Sequence, residues 1–321
     1  MRLLCLCGIA AVFMSGCGQT AVSYDNPYDI YSTSADYGLA SEGAGSEKTY
    51  FSQNLCVADN VNIGNDTTDS QVAEGAGTFN LATNTVTYAQ NIYEKLYPAS
   101  TTKILTAYIA LKYGNLEDYV TVSENAADQA SDSSVCGLKA GDVVQLKDLL
   151  YGMMLKSGND AAIAIAEHIG GSVDQFVEMM NQEALELGAT NTHFANPSGL
   201  QDENHYTTVY DIYLMLQEAM TYPHFLEIVQ LSSYNLTCNR GEQEVTFHLD
   251  ATDQYLTRQV TAPKNVTVLG GKTGTTSDAG SCLALLSQNA YGEPYISIVL
   301  HAANKTNLYT YMNQLLSAIN Q

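Results

Sequence analysis

The order of hydrophobic periods along the chain limits its possible folds more than any single residue does: strands come first, helices next, then strands again. Gly77-Thr78-Phe79-Asn80-Leu81 and Val86-Thr87-Tyr88-Ala89, joined through Thr83-Asn84, predict a hairpin. Pro98 then stands where a helix can open. Ile104 to Leu111 is apolar nearly all round, which predicts a helix buried on most sides. Leu146, Leu149, Leu150, Met153 and Met154 recur at helical spacing and predict an amphipathic helix that stops at Ser157-Gly158-Asn159. Asp160 is expected to cap the next helix, Ala161 to Ile169, which Gly170-Gly171 ends. Ser172 with Gln175 opens another by a capping-box pattern, with Val173, Phe176, Val177, Met180, Ala184 and Leu187 as its buried stripe and Gly188 as its stop. Strand patterns return at Val266-Thr267-Val268-Leu269, Cys282 to Leu286 and Tyr295 to Leu300, with a Gly292-Glu293-Pro294 turn before the last. A final helix is expected to bury Leu308, Met312, Leu315, Leu316 and Ile319. Adjacent strands with short turns imply an antiparallel sheet and hence an α+β domain.

Charge narrows the partners. Lys plus Arg total 13 against 34 Asp plus Glu, for a formal net charge of −21. A nucleic-acid partner is disfavoured, because phosphate binding needs a basic surface. At the N-terminus, Arg2 is the only charge ahead of the apolar run Leu3 to Met14. That run is shorter than the about 20 residues of a membrane-spanning helix. It ends at Met14-Ser15-Gly16-Cys17, which resembles a bacterial lipoprotein signal. The resemblance implies that residues 1–16 are removed and that Cys17 carries lipid, tying the protein to the membrane outside the cytoplasm. If Cys17 is not lipidated, the segment reads as an ordinary secretory signal and the protein as secreted. Residues 17–53, rich in Ser, Gly, Ala, Asp and Tyr without an apolar period, read as a flexible tether. Residues 54–321 read as the folded domain. Of the remaining cysteines, Cys56, Cys136, Cys238 and Cys282 could pair in three ways in an exported protein, or stay as free buried thiols. No C-x-x-C or His cluster points to a metal. No cofactor is implied.

Three short stretches carry the chemistry: Ser100-Thr101-Thr102-Lys103, Ser157-Gly158-Asn159 and Lys272-Thr273-Gly274. Taken singly, each is explained by caps, turns and solvated lysines. Together they put two of only thirteen cations beside two serines. Ser100 and Lys103 share one helical face. A serine hydroxyl attacks only when a base takes its proton, and lysine can be that base only if its pKa falls. With Lys272 about 6 Å from Lys103 at an effective dielectric of about 20, repulsion amounts to about 2.8 kcal/mol, roughly two pKa units, with desolvation adding more. Gly271-Lys272-Thr273 is not a P-loop: position 266 is Val, and no helix follows the lysine. A strand carrying Lys272 and Thr273, then Gly274, suits an extended substrate paired along a sheet edge.

The set, in this order, resembles the motif signature of penicillin-binding proteins and class A β-lactamases, whose middle member is Ser-Asp-Asn where this chain has Ser157-Gly158-Asn159. Residues 55–320 resemble the serine-type D-alanyl-D-alanine carboxypeptidases, the low-molecular-mass penicillin-binding proteins. The resemblance extends to Pro98-Ala99-Ser100, Asn159-Asp160-Ala161-Ala162, Thr192 to Leu200 and His205-Tyr206-Thr207-Thr208. It also covers Tyr210-Asp211 and Gly271 to Thr276. It implies a five-stranded antiparallel sheet packed by helices, with an all-helical subregion and the site between that subregion and the sheet edge. It implies Ser100 as nucleophile, Lys103 as base, Ser157 as proton relay and Asn159 as the residue orienting the substrate amide. Lys272 and Thr273, with Gly274 beside them, would bind the terminal carboxylate. The N–H groups of Ser100 and Thr275 would form an oxyanion hole. Asp253 stands where the family often has Asn, and the resemblance gives it no role. Many relatives carry a further β-domain and an amphipathic anchor; the lipid on Cys17 is expected to replace that anchor.

The function implied is removal of the terminal D-alanine from peptidoglycan stem peptides through an acyl-enzyme on Ser100, with β-lactams as covalent inhibitors. Two alternatives stay open, a β-lactamase and a non-catalytic β-lactam or wall-peptide sensor. The β-lactamase needs a deacylating base, for which Glu183 and Glu186 are nearby but read as the exposed face of a helix. Carboxypeptidase, transpeptidase and endopeptidase action differ only in the acyl acceptor or the peptide bound, and the sequence does not separate them.

Overall fold

The computed structural model describes residues 54–64, 68 and 71–320, together with two short strands, Ala40–Glu42 and Lys48–Tyr50, that pair antiparallel. The leader, Cys17 and the rest of the segment read as a tether lie outside the described residues. Within Asn54–Gln321 the strands are β1 Ala73–Asn80, β2 Thr85–Gln90, β3 Tyr119–Thr121, β4 Val143–Gln145, β5 Ser233–Arg240, β6 Gln243–Asp250, β7 Thr267–Thr276, β8 Gly280–Gln288 and β9 Pro294–Ala302. A 3-10 turn, Ala99–Thr102, leads into α1 Lys103–Tyr113. It is followed by α2 Glu124–Ala127, α3 Leu146–Leu155, α4 Asn159–Gly170, α5 Val173–Glu186, α6 Val209–Ala219, α7 Pro223–Val229 and α8 Lys305–Ala318.

The main sheet has five antiparallel strands in the order β2-β1-β9-β8-β7. The predicted hairpin is its β1–β2 edge, with Asn84 at φ 53° in the turn. Side chains alternate across a strand, and here both faces are buried. Ile296, Ile298 and Leu300 of β9, with Ala284 and Leu286 of β8, enter the core shared with the helices. Tyr295 and Val299, with Leu283 and Leu285, pack against Leu308, Met312, Leu315 and Leu316 of α8. That double burial is why these strands read as continuous apolar runs. Strand β7 is left at the sheet edge, turned towards the helical region.

The central helices follow their predicted stripes, and Ser172 Oγ accepts from Gln175 N–H at 3.2 Å to cap α5. The structure departs from the sequence reading in three places. A second sheet, β3-β4-β5-β6, covers α3; its β5–β6 hairpin turns at Gly241 (φ 64°). Asp160 lies inside α4 and is not its cap, because its carboxylate accepts from the N–H groups of Cys136 (2.9 Å), Gly137 (3.0 Å) and Leu138 (3.1 Å). Glu183 is buried, not exposed, since Lys112 Nζ and the Tyr113 hydroxyl both donate to its carboxylate. Cys56, Cys136, Cys238 and Cys282 are free, buried thiols.

Candidate active site

Three elements meet at one cleft of about 380 Å³. The first is the turn that carries Ser100. Ala99 is held at φ 47°, which a residue with a Cβ rarely adopts. Two contacts hold it there. A neutral His205 ties the turn from one side: Ala195 N–H donates to its Nδ1 (3.1 Å), so the proton sits on Nε2 and is donated to Thr102 Oγ1 (2.8 Å). Thr102 Oγ1–H in turn donates to Ala99 O (2.8 Å). Burial pushes the His205 pKa down to about 4, consistent with this neutral form. From the other side Gly199 presses so close that a Cβ there would lie 1.9 Å from Ala99 O.

Lys103, the first residue of α1, is fully buried. Its Nζ lies 2.6 Å from Ser198 O, 2.8 Å from Asn159 Oδ1 and 3.0 Å from Ser100 Oγ. Two of these neighbours can only accept, so they take two N–H groups. In the free amine the lone pair then remains for the Ser100 hydroxyl. Desolvation holds the Lys103 pKa well below the ordinary lysine range, and Lys272 repulsion adds to it. Burial is thus the larger cause and the second cation the smaller.

The second element is the α3–α4 loop. Ser157 sits at φ 63°, and Asn159 N–H donates to Ser134 O at 2.8 Å. Gly158 has no room for a side chain, since a Cβ would meet Cys136 Sγ at 2.4 Å. The third element is the β7 edge. Lys272 Nζ donates to Ser157 Oγ (2.9 Å) and Thr273 O (3.0 Å), which leaves an ammonium one N–H free. Burial lowers its pKa to about 7, against the attraction of Asp253. Thr273 Oγ1 lies 2.6 Å from Thr252 Oγ1. A Cβ on Gly274 would lie 2.9 Å from Ser100 N, so glycine lets the strand cross the Ser100 amide. Thr275 lines the same cleft, and its Oγ1 donates to Gly274 O.

Every site residue expected from sequence inside the described chain is therefore brought together, while Cys17 lies outside it. Glu183 and Glu186 do not line the cleft. The sequence reading missed the Ser198 carbonyl, the partners of His205 and the contact of Thr252. Asn196 was also unassigned; its Oδ1 accepts from the N–H groups of Ser198 (3.2 Å), Gly199 (2.8 Å) and Leu200 (3.1 Å), which fixes the loop carrying that carbonyl. Among the described residues no group of three or more His, Cys, Asp or Glu could hold a metal.

A serine facing a buried lysine, set between a helical region and a sheet edge, has the design of a serine acyl-transferring hydrolase. A sequence model of the D-alanyl-D-alanine carboxypeptidase family, peptidase family S11, matches residues 65–304, and the chain belongs to that family. Among curated relatives, DacF of Bacillus subtilis is 43% identical over 145 residues, covering 44% of this chain and 37% of the relative. DacA of Haemophilus influenzae is 34% identical over 218 residues, covering 66% and 52%. The chain thus spans about half or less of the length of these relatives. Of solved structures, the Streptomyces K15 DD-transpeptidase aligns with a TM-score of 0.71 and 28% identity over 77% of this chain and 96% of that one. A D-alanyl-D-alanine carboxypeptidase from Mycobacterium tuberculosis aligns with a TM-score of 0.69 and 27% identity over 81% and 95%.

Proposed function

We propose that this chain is a serine D-alanyl-D-alanine carboxypeptidase that shortens peptidoglycan stem peptides and is acylated by β-lactams. The observation that supports it most is Lys103 Nζ, buried, 3.0 Å from Ser100 Oγ and bonded to two further acceptors. The substrate lies extended along β7, with its terminal carboxylate on Lys272 and Thr273 and its amide against Asn159. Lys103 Nζ takes the Ser100 proton as Oγ bonds to the carbonyl carbon of the penultimate residue. The oxyanion is held by the N–H groups of Ser100 and Thr275, worth about 3–4 kcal/mol per donor. The C–N bond then breaks, and the departing amine receives the proton by way of Lys103 and Ser157. Water attacks the Ser100 ester, returning the serine and releasing the shortened peptide acid. A β-lactam acylates Ser100 by the same first step.

The test is D-alanine release from a synthetic D-Ala-D-Ala peptide, alongside mass spectrometry of the penicillin adduct. Release and an adduct at Ser100, both lost in Ser100→Ala, are expected; release retained in that variant would sink the mechanism. The same reading puts the protein outside the cytoplasm, held by lipid on Cys17, and is supported by the leader's resemblance to a lipoprotein signal. Among the described residues no helix is long and apolar enough to cross a membrane. Cys17→Ser is expected to move the protein out of the membrane fraction.

A further inference from the structure

We propose that Thr252 is a positioning residue for ligand carboxylates: its hydroxyl donates to Thr273 Oγ1, which leaves the Thr273 proton free for the carboxylate in the cleft. The inference deepens the proposed function and rests on its placing of the terminal carboxylate at Lys272 and Thr273. The two hydroxyl oxygens are 2.6 Å apart, and both residues line the cleft. Thr252 comes from the loop after β6, and that loop is pinned from two sides. Thr252 N–H donates to Leu155 O at 3.0 Å, at the end of α3 and two residues before Ser157. On the far side, Asp253 O accepts from Thr257 N–H (3.2 Å) and from Thr257 Oγ1–H (3.1 Å). Gln254 N–H donates to the hydroxyl of Tyr309 on α8 at 2.9 Å. Thr273 is fixed in turn by its pairing with Leu283 across β7 and β8. One hydroxyl is thereby presented to the sheet edge at a set place.

Donor counting sets the direction of the bond. Two hydroxyls at this distance share one of their two protons, so the pair has one left to give. A carboxylate only accepts. For Thr273 to meet it, the shared proton must come from Thr252; supplied by Thr273, it would turn a lone pair of Thr273 towards the carboxylate. Lys272 makes this choice matter. Its N–H groups go to Ser157 Oγ and Thr273 O, which leaves an ammonium a single N–H, enough for one carboxylate oxygen. The second oxygen then falls to the Thr273 hydroxyl. A hydroxyl that accepts one bond while donating the next is polarised towards stronger donation, and a bond to an ionised acceptor gains most from it. The net charge of −21 gives an anionic ligand no help at longer range, so its recognition rests on donors inside the cleft. Without Thr252 the Thr273 hydroxyl keeps its place on β7 but loses the partner that fixes its rotation.

The experiment follows adduct formation at Ser100 by mass spectrometry in the full chain, with benzylpenicillin and with its methyl ester, which lacks the anionic carboxylate. Thr252→Val keeps the shape and removes the hydroxyl. With it, the acid is expected to need an about 3–10-fold higher concentration for half-maximal acylation, the worth of one hydrogen bond, while the limiting rate is kept. The ester should react as it does with the native chain. Thr252→Ser returns a hydroxyl and should return the acid to its native value. In a Thr273→Val background, Thr252→Val should change nothing further, because the proton it directs is gone. An acid that reacts unchanged, equal slowing of acid and ester, or effects of the two substitutions that simply add would each overturn the inference. If Thr252→Val does not fold, Thr252→Ala is read in the same way. Selective loss with the acid, in a protein that releases no D-alanine, keeps the inference and overturns the proposed function. A native chain that forms an adduct with neither ligand overturns both.

Discussion

Helix α1 begins and ends with a lysine pair of opposite design. Lys103 at its start is wholly buried, contacts only neutral oxygens, and has its pKa driven down by desolvation and Lys272. Lys112 at its end is partly exposed, donates to both oxygens of Glu183 (2.8 and 2.9 Å), and is held above the ordinary lysine range. The helix dipole acts in the same sense, opposing charge at the N-terminal lysine and favouring it at the C-terminal one. The difference lies in what each lysine is given as a partner. A carboxylate makes an ion pair that fastens α1 to α5. Carbonyl oxygens and a hydroxyl, in the dark of the core, make an amine that can accept a proton.

Exchanging the two ends should give unlike results. Lys103→Met is expected to slow penicillin acylation by about 10²–10⁴-fold, the usual range for a lost general base, with little change in folding. Acylation rates read by adduct formation decide it; an active variant would place the base elsewhere. Next in size is the clasp behind the Ser100 turn. His205 stays neutral in the folded protein down to about pH 4, whereas the unfolded chain takes a proton near 6.5. Its contribution is therefore fully present above pH 6.5 and is lost as pH falls towards 4, by about 3 kcal/mol. Asp253, whose carboxyl is raised to about 6, acts in the opposite sense, so the comparison is the difference between the native chain and His205→Gln in denaturant melts at several pH values. Equal acid dependence of the two would show that His205 is not held neutral.

Gly274→Ala tests how tightly the sheet edge must approach that same turn. The new Cβ would stand 2.9 Å from Ser100 N, and the expected displacement slows acylation by up to about 10²-fold while leaving the melting temperature near its original value. At the other end of the helix, Lys112→Met should leave acylation unchanged and lower stability by about 1–3 kcal/mol, since Glu183 stays buried with Tyr113 as its remaining donor. A loss of activity there would mean that the two ends of α1 are coupled.

Local patterns carried much of this protein in the sequence. The β1–β2 hairpin, the stripes of α3 and α5, the capping serine of α5 and the three closing strands each follow from neighbours a few residues apart. The three motifs were legible for the same reason, and their scarcity of rival cations drew Lys103 and Lys272 forward. The second sheet was harder to see, because β3 and β4 are three-residue strands that pair with each other, and β4 gains its second partner only when β5 arrives from about ninety residues later. The alternation Leu236, Cys238 against Val245, Leu249 about Gly241 was the available signal for its hairpin.

Sequence alone determined which side chains could do the chemistry and the helical or extended segments that carry them, since both depend on residue type and short-range spacing. Tertiary structure alone decided what those side chains are. Ser198 enters as a backbone carbonyl, with no side-chain signature. Glu183 and Asp160 became partners of distant groups, and the same lysine became an amine or an ion pair according to the depth and charge around it. Protonation depends on desolvation and on charges brought close by folding, so it was fixed only when the sheet edge, the α3–α4 loop and the start of α1 came together.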